Sequence, residues 1–376
     1  MAMRNFFRYL VLIISLQLMT LALPACAQDN RIVIAQAIDL SGPNGSIGRD
    51  YVAGITTYFD SLNASGGIGG RKIKYLVRDD QGNPALAARL TAELLEKDKA
   101  DYLLGGIGAA VTDAVVNSPR FMQSGMTLYA PLIGSVKNYG NHVLFWRPSP
   151  EQEMQYIFSY FDKLGIKSVG IAVQENSLNQ DMYQYVSSEV KKRNMTMSGI
   201  VHIGASGKTM EMESGLLAKA NPNIVIVVAD TIGTGTFLKE FRKYAPRTFV
   251  AGMSLTNLNT LAEIADQKSM EWTVFSQVVP NPQGKKIPVQ LEHSNMMKKY
   301  RDEDVSALTF EGFVVAKTLA KAIQLSKGGK DGLQILASQK NSIDMGGIIL
   351  TPNEAGARMS SYVDIALFRK GGGLLF

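Results

Sequence analysis

Residues 31–104 read RIVIAQAIDLSGPNGSIGRDYVAGITTYFDSLNASGGIGGRKIKYLVRDDQGNPALAARLTAELLEKDKADYLL. Three short apolar runs, at 31–37, 72–77 and 101–104, are bounded by polar residues, the pattern of strands buried on both faces. Between them, residues 51–64 and 84–97 carry helical spacing. Leu86, Leu90 and Leu94 recur every fourth residue, and Pro84 is placed to open the helix, where its missing N–H costs nothing. The glycines at 66, 67, 69 and 70 close the first helix, because glycine accepts the positive φ of a helix end and tight turn. Strand alternating with helix predicts an α/β fold with a parallel sheet.

The alternation restarts after Pro148 and Pro150, with a helix at 152–164, a strand at 168–173, a helix at 180–193, a strand at 224–228 and a helix at 235–244. A second α/β lobe follows from it. Residues 309–325 form another apolar helix, preceded by an extended segment at 272–279 that ends at Pro280. Strand-like runs at 346–350 and 362–368 are expected to complete the sheets.

Before the first strand, Arg4 and Arg8 precede an uncharged run at 9–23 and then Pro24-Ala25-Cys26-Ala27, the grammar of a secretory signal peptide. The run is shorter than the roughly 20 residues a spanning helix needs. Cleavage before Gln28 would remove residues 1–27. The alternative is a lipid anchor on Cys26, since Leu23-Pro24-Ala25-Cys26 resembles a lipoprotein box, although the proline argues against it. Either route exports the chain, and the periplasm is the expected location.

Cys26 is the single cysteine, so no intramolecular disulfide is available and a large core must hold the exported chain together. With 46% hydrophobic and 19% charged residues, 376 residues suffice for two such cores. Loss of Arg4 and Arg8 lowers the formal charge from +6 to +4. The basic residues are scattered, and the pairs Lys285-Lys286 and Lys298-Lys299 read as solvated faces, so no nucleic-acid partner is expected.

Catalytic motifs are broken where they begin to form. Residues 204–209 (GASGKT) resemble the end of a phosphate-binding loop, but His202 stands where its first glycine belongs, which leaves a surface turn. Residues 106–111 (GIGAAV) lack the third glycine of a dinucleotide fingerprint and do not follow the first strand. Residues 252–256 (GMSLT) carry Thr256 in place of the second glycine of a nucleophile elbow. His142, His202 and His293 share no metal-ligand spacing. Asp79-Asp80 reads as a solvated strand end or a helix-capping device rather than an acid–base pair. Neither a cofactor nor an enzymatic activity is expected.

What remains is a set of strand-to-helix junctions rich in small and hydroxyl residues: Ser41-Gly42-Pro43, residues 105–112, Gly134-Ser135 and residues 230–236. In an α/β sheet such loops lie at the carboxyl ends of the strands, where ligands bind, and helix N-termini there offer N–H groups to an anion.

Three segments, LSGPNGSIGRDYVAGI (40–55), NASGGIGGRKI (63–73) and DDQGNPALAARLTAELL (79–95), together resemble the branched-chain amino-acid-type solute-binding proteins of ABC importers. LLGGIGAAVT (103–112), residues 168–192 and LTFEGFVVAKTLAKAI (308–323) extend the resemblance over nearly the whole exported chain. It implies the type I periplasmic-binding-protein fold, two Rossmann-like lobes with parallel sheets joined by a three-crossover hinge. On that basis residues 28–147 with 280–350 make the N-terminal lobe, and 148–279 with 351–376 the C-terminal lobe. A small molecule would be captured between them by hinge closure and delivered to an inner-membrane ABC permease. The rivals are a periplasmic sensor subunit for a membrane receptor, an α/β hydrolase attacking through Ser135 or Ser254, and a purely structural exported protein.

The resemblance also places the ligand-binding positions, and here the sequence departs from the family's pattern. The first-lobe serine falls on Ala109, between Gly108 and Ala110. The alanine-x-threonine pair falls on Leu132 and Gly134, with Ser135 adjacent. The second-lobe tyrosines fall on Leu178 and Asp230, beside Thr231. The acid falls on Met253, and the first-lobe aromatic on Ile47. Leu308, at the start of the last long helix, completes the set. A zwitterion stripped of water needs paired hydrogen bonds. An ordinary branched-chain amino acid is therefore not the expected ligand. An apolar or aromatic acid with one polar end is.

Overall fold

The computed structural model describes residues 31–133, 139–174, 177–204, 207–327, 329–352, 358–370 and 373–376. The expected signal peptide, Cys26, Gly134 and Ser135 lie outside the described residues.

The first sheet is laid down by β1 (Ile32–Ile38), α1 (Gly45–Ala64), β2 (Ile73–Asp79), α2 (Pro84–Glu96), β3 (Tyr102–Leu104), α3 (Ala109–Val116), α4 (Pro119–Ser124), β4 (Leu128–Tyr129) and β5 (Val143–Leu144). Its strand order is β2-β1-β3-β4-β5, and every pair is parallel. The chain then builds α5 (Pro150–Lys163), β6 (Ser168–Gln174), α6 (Ser177–Lys192), β7 (Thr196–Ile203), α7 (Gly207–Lys219), β8 (Ile224–Val228), α8 (Thr231–Phe241), β9 (Phe249–Gly252), α9 (Leu258–Ala265) and β10 (Thr273–Gln277). After α10 (Pro288–Tyr300), α11 (Ala307–Leu325), α12 (Gly332–Ala337), β11 (Ile343–Asp344) and β12 (Ile349–Leu350), it returns as β13 (Asp364–Phe368) and β14 (Leu374–Leu375). The second sheet runs β14-β13-β10-β9-β8-β6-β7, parallel from β7 to β10 and antiparallel beyond.

Both sheets are covered on two faces, which is why their strands read as apolar runs. On β8, Ile224, Ile226 and Val228 pack with Phe158 and Phe161 of α5, while Val225 and Val227 face Phe237 and Phe241 of α8. In the first lobe Ile34 and Ile38 meet Tyr51, Phe310 and Phe313, and Ala35 meets Leu94 and Phe121 on the opposite face. The helices start where capping chemistry allows. The Asn83 side chain accepts from Leu86 N ahead of Pro84, and Ser149 with Gln152 forms a capping box around Pro150.

Several boundaries differ from the sequence reading. Helix α1 begins six residues earlier than its apolar spacing indicates, because Gly48 lets its first turn press on the Asp39 carbonyl: a Cβ there would lie 1.8 Å from that oxygen. Helix α8 begins at Thr231, since Asp230 Oδ1 accepts from Gly233 N at 2.7 Å. Gly207 opens α7 rather than ending a surface turn. Of the two final runs, β12 pairs with β11 in a separate antiparallel hairpin, and β13 alone joins a large sheet. The pair Asp79-Asp80 is only half solvated. Asp79 takes Leu40 N, Gln81 N and the Ser41 hydroxyl, whereas Asp80 is fully buried.

The chain crosses between the sheets after β5, after β10 and before β13. At the first crossing Arg147 is 2% exposed and forms a two-pronged ion pair with Glu311 of α11, at 3.1 and 3.0 Å. It also donates to the Ser254 hydroxyl at 3.1 Å; Ser254 N and the Ser276 hydroxyl donate to Glu153 of α5. The Glu311 charge holds the Arg147 pKa up against a burial that would lower it. Burial in turn raises that of Glu311.

Candidate functional site

In the order β2-β1-β3, successive connections leave β1 in opposite directions, and β7-β6-β8 repeats this in the second sheet. A crevice opens at such a switch point, outside the carboxyl ends of the two strands. The two crevices here face one another. Asn44 after β1, Gly108 after β3, Gln174 at the end of β6 and Asp230 after β8 all line one cavity of about 330 Å³.

Each side chain is positioned by its junction. The β1–α1 loop winds around Asp39, whose carboxylate accepts from Gly42 N at 2.6 Å and Asn44 N at 2.9 Å. Below it, Asp80 has one oxygen on Gly82 N and the other, Oδ2, without a hydrogen-bond partner among the described residues. Burial, with the charges of Asp39 and Asp79 adding to it, pushes its pKa up to about 6. Gly108 sits at φ +98°, a conformation glycine takes without strain. It precedes α3 without offering a side-chain cap. Helix α1 also lacks a side-chain cap, and neither helix has an acidic residue in its first turn. The first-turn N–H groups of both helices therefore keep their partial positive charge for a ligand.

The second lobe contributes differently. Asp230 is the one charged side chain among the described lining residues, and both its oxygens are engaged, Oδ1 with Gly233 N and Oδ2 with Gln174 Nε2 at 2.9 Å. Gln174 Oε1 accepts from Asp230 N, so the two residues lock the ends of β6 and β8 together. Ile47, Ile107, Leu132, Met182, Met253 and Leu255 make up much of the remaining wall. The described lining residues thus offer apolar surface, neutral amides and helix N-termini, and include no basic side chain and no acid besides Asp230.

Of the residues expected from the sequence, Ile47, Gly108, Ala109, Leu132, Asp230 and Met253 line this cavity. Ala110 is exposed on α3 outside it. Thr231 is buried, and its hydroxyl accepts from Asn257 N. Leu308 lines a separate, adjoining cavity. Leu178 lies in α6, but its side chain is outside the described residues. The sequence reading passed over Gln174, Asn179, Asn44 and Thr256. The first had a signal, because it immediately follows the apolar run at 168–173, as Ala109 and Asp230 follow theirs.

Two doubly wound lobes around a shared crevice define the type I periplasmic-binding-protein fold. The sequence pattern described as periplasmic binding protein matches residues 31–347, and the chain belongs to that family. An amino acid binding protein of Pseudomonas aeruginosa is 36% identical over 74 residues, 20% of each chain. The Leu/Ile/Val-binding protein homolog 4 of Brucella abortus is 34% identical over 103 residues, 27% of this chain and 24% of that one. The chain thus aligns with only about a fifth to a quarter of the length of these relatives. A substrate-binding periplasmic protein from Ralstonia solanacearum superposes with a TM-score of 0.83 at 22% identity, over 92% of this chain and 99% of that one. Among the described residues no helix is long and apolar enough to cross a membrane.

Proposed function

We propose that the chain is the substrate-binding protein of an ABC importer, whose interlobe cavity captures a small molecule with an apolar body and one carboxylate end. The observation that carries this reading is the cavity itself, in which the switch points of two sheets supply facing walls. The carboxylate would rest on the N–H groups that open α3, and the body would lie against Ile47, Leu132 and Met253. Among the described lining residues the one counter-charge for an α-ammonium group is Asp230, and each of its oxygens already accepts a hydrogen bond, from Gly233 and from Gln174. This is the reason for placing ordinary branched-chain amino acids outside the ligand class. The lobes would divide at residues 147, 279 and 350, and the ligand, touching both, would shift an open–closed equilibrium toward the closed form that a permease recognises. No covalent step is assigned; the hydroxyl of Ser254, the buried serine of the elbow-like stretch, accepts from Arg147.

The test is a thermal-shift screen of the purified exported chain against aromatic and branched-alkyl carboxylates, with L-leucine as comparison. At a hundredfold excess over Kd a ligand adds about 2.7 kcal/mol. At about 2–4 °C per kcal/mol, Tm then rises by roughly 5–10 °C. A shift from a carboxylate with leucine silent supports the reading. A leucine shift overturns the pocket chemistry, and silence from every compound overturns the binding role.

A further inference from the structure

Three carboxylates meet behind the β1–α1 loop. The parallel register that pairs Ile38 of β1 with Asp79 of β2 sets the next residues, Asp39 and Asp80, side by side, and Asp80 N donates to Ile38 O at 3.1 Å. Asp39 and Asp80 are both fully buried. Asp39 accepts from Gly42 N and Asn44 N, one on each oxygen, and Asp79 accepts from two backbone N–H groups and the Ser41 hydroxyl. Asp80 accepts from Gly82 N alone. Its Oδ2 lies against Gly106, where an added Cβ would fall 3.2 Å from it, and has no hydrogen-bond partner among the described residues. The charged groups that face it, Asp39 at the end of β1 and Asp79 beside it, are both acids, while the β2–α2 and β3–α3 loops packed on it present Gly82 and Gly106. A buried carboxylate with one donor and two like charges beside it takes up a proton more readily than a solvated one. Burial, and then the charges of Asp39 and Asp79, bring its pKa to about 6, so the side chain changes charge near neutral pH.

This group stands behind the wall of the cleft without opening into it. Gly82, whose N–H it holds, and Gly108, two residues beyond Gly106, both line the interlobe cavity. Gly108 leads into α3, whose first-turn N–H groups are where the guest's carboxylate would rest. A negative charge on Asp80 opposes that carboxylate through protein rather than through water, where it is weakly screened. A proton on Asp80 removes the opposition and leaves the guest the partial positive charge of the helix N-terminus.

We propose that Asp80 couples the cleft to pH: its neutral form gives tight binding of a carboxylate guest, and its ionised form weakens that binding. By linkage the guest draws a proton onto Asp80 as it binds, with the same coupling factor in both directions. This coupling rests on the reading of the cleft as a carboxylate site.

The full exported chain is titrated calorimetrically with benzoate and with 4-methyl-2-oxopentanoate at about pH 5.5 and about pH 8, where both probes are ionised. Asp80→Asn is titrated alongside, with circular dichroism confirming its fold. The expected result is a Kd at least threefold larger at the higher pH in the parent and less than threefold different in D80N, with D80N binding at least threefold tighter than the parent at pH 8. A smaller change in the parent overturns the proposal, and so does a D80N protein that keeps the parent's dependence. Weaker binding by D80N at both pH values means that Asp80 only holds the loops in place, which also overturns it. If D80N does not fold, the parent decides: titrations near pH 6.5 in buffers of different ionisation enthalpy must show proton uptake on binding, and no uptake or a release sinks the coupling. Each of these failures leaves the cleft reading standing, whereas silence from both carboxylates at both pH values removes the cleft reading and the coupling with it.

Discussion

Asn257 Nδ2 stands 3.3 Å from Asp50 Oδ2 and 3.1 Å from Ser46 O, tying the loop before α9 in the second lobe to α1 in the first. The Ser306 hydroxyl donates to the same Asp50 oxygen at 2.9 Å, and burial raises the pKa of this half-sheltered carboxyl despite those bonds. The Asn257 contacts join one lobe to the other, whereas the Ser306 bond lies within the first lobe. Asp50→Ala is therefore expected to favour the open form and weaken cleft binding about fivefold to tenfold, the loss of roughly one hydrogen bond. Calorimetry of the ligand found by the thermal screen would measure the loss. Small-angle scattering should show the ligand-free variant more extended than the parent.

The ion pair between Arg147 and Glu311 gives a larger effect. Both side chains are 2% exposed, so removing one partner strands a buried charge, at a cost of about 3–5 kcal/mol. Glu311→Leu should lower the urea midpoint accordingly. Arg147→Met combined with Glu311→Leu should recover much of the loss, because both charges of the pair are removed together. If the double variant is as unstable as the single one, the pair is not the source of the effect.

Helices α1 and α11 touch through two glycines. A Cβ on Gly54 would fall 1.9 Å from Thr309 O, and one on Gly312 would fall 2.1 Å from Tyr51 O. Gly312→Ala must push the helices apart, and overpacking of this kind costs about 1–3 kcal/mol. The expected drop in Tm is roughly 2–12 °C at about 2–4 °C per kcal/mol. An unchanged Tm would mean that the helices separate freely.

His293 makes stability depend on acid. It is fully buried, stacked on Phe310 with ring centroids 5.0 Å apart, and neither ring nitrogen has a hydrogen-bond partner among the described residues. Burial pushes its pKa down to about 3. The unfolded chain takes up this proton below about pH 6.5 while the native state does not. Stability is therefore unaffected above pH 6.5 and falls by about 1.4 kcal/mol per unit as the pH drops from there toward 3. His293→Leu should flatten that part of the pH dependence, read from urea midpoints at pH 7 and pH 5. A parallel decline in parent and variant would place the acid sensitivity elsewhere.

Short apolar runs, proline-led helices and the glycine turn at 66–70 determined the α/β alternation, because each acts within a few residues. The crevice followed as a place, since ligands meet parallel sheets at strand ends whatever the side chains are. Its lining did not follow. Asp230, expected from the sequence at the site, does line the cavity, but only the fold shows that it also caps α8 and holds Gln174, a partner 56 positions away. Leu308 looked like cleft and lines the neighbouring cavity. The pairing of Arg147 with Glu311 joins residues 164 positions apart. Such relationships depend on how two independently folded sheets are set against each other by the crossings between them. Local periodicity carries no information about that angle; the tertiary structure alone decided it.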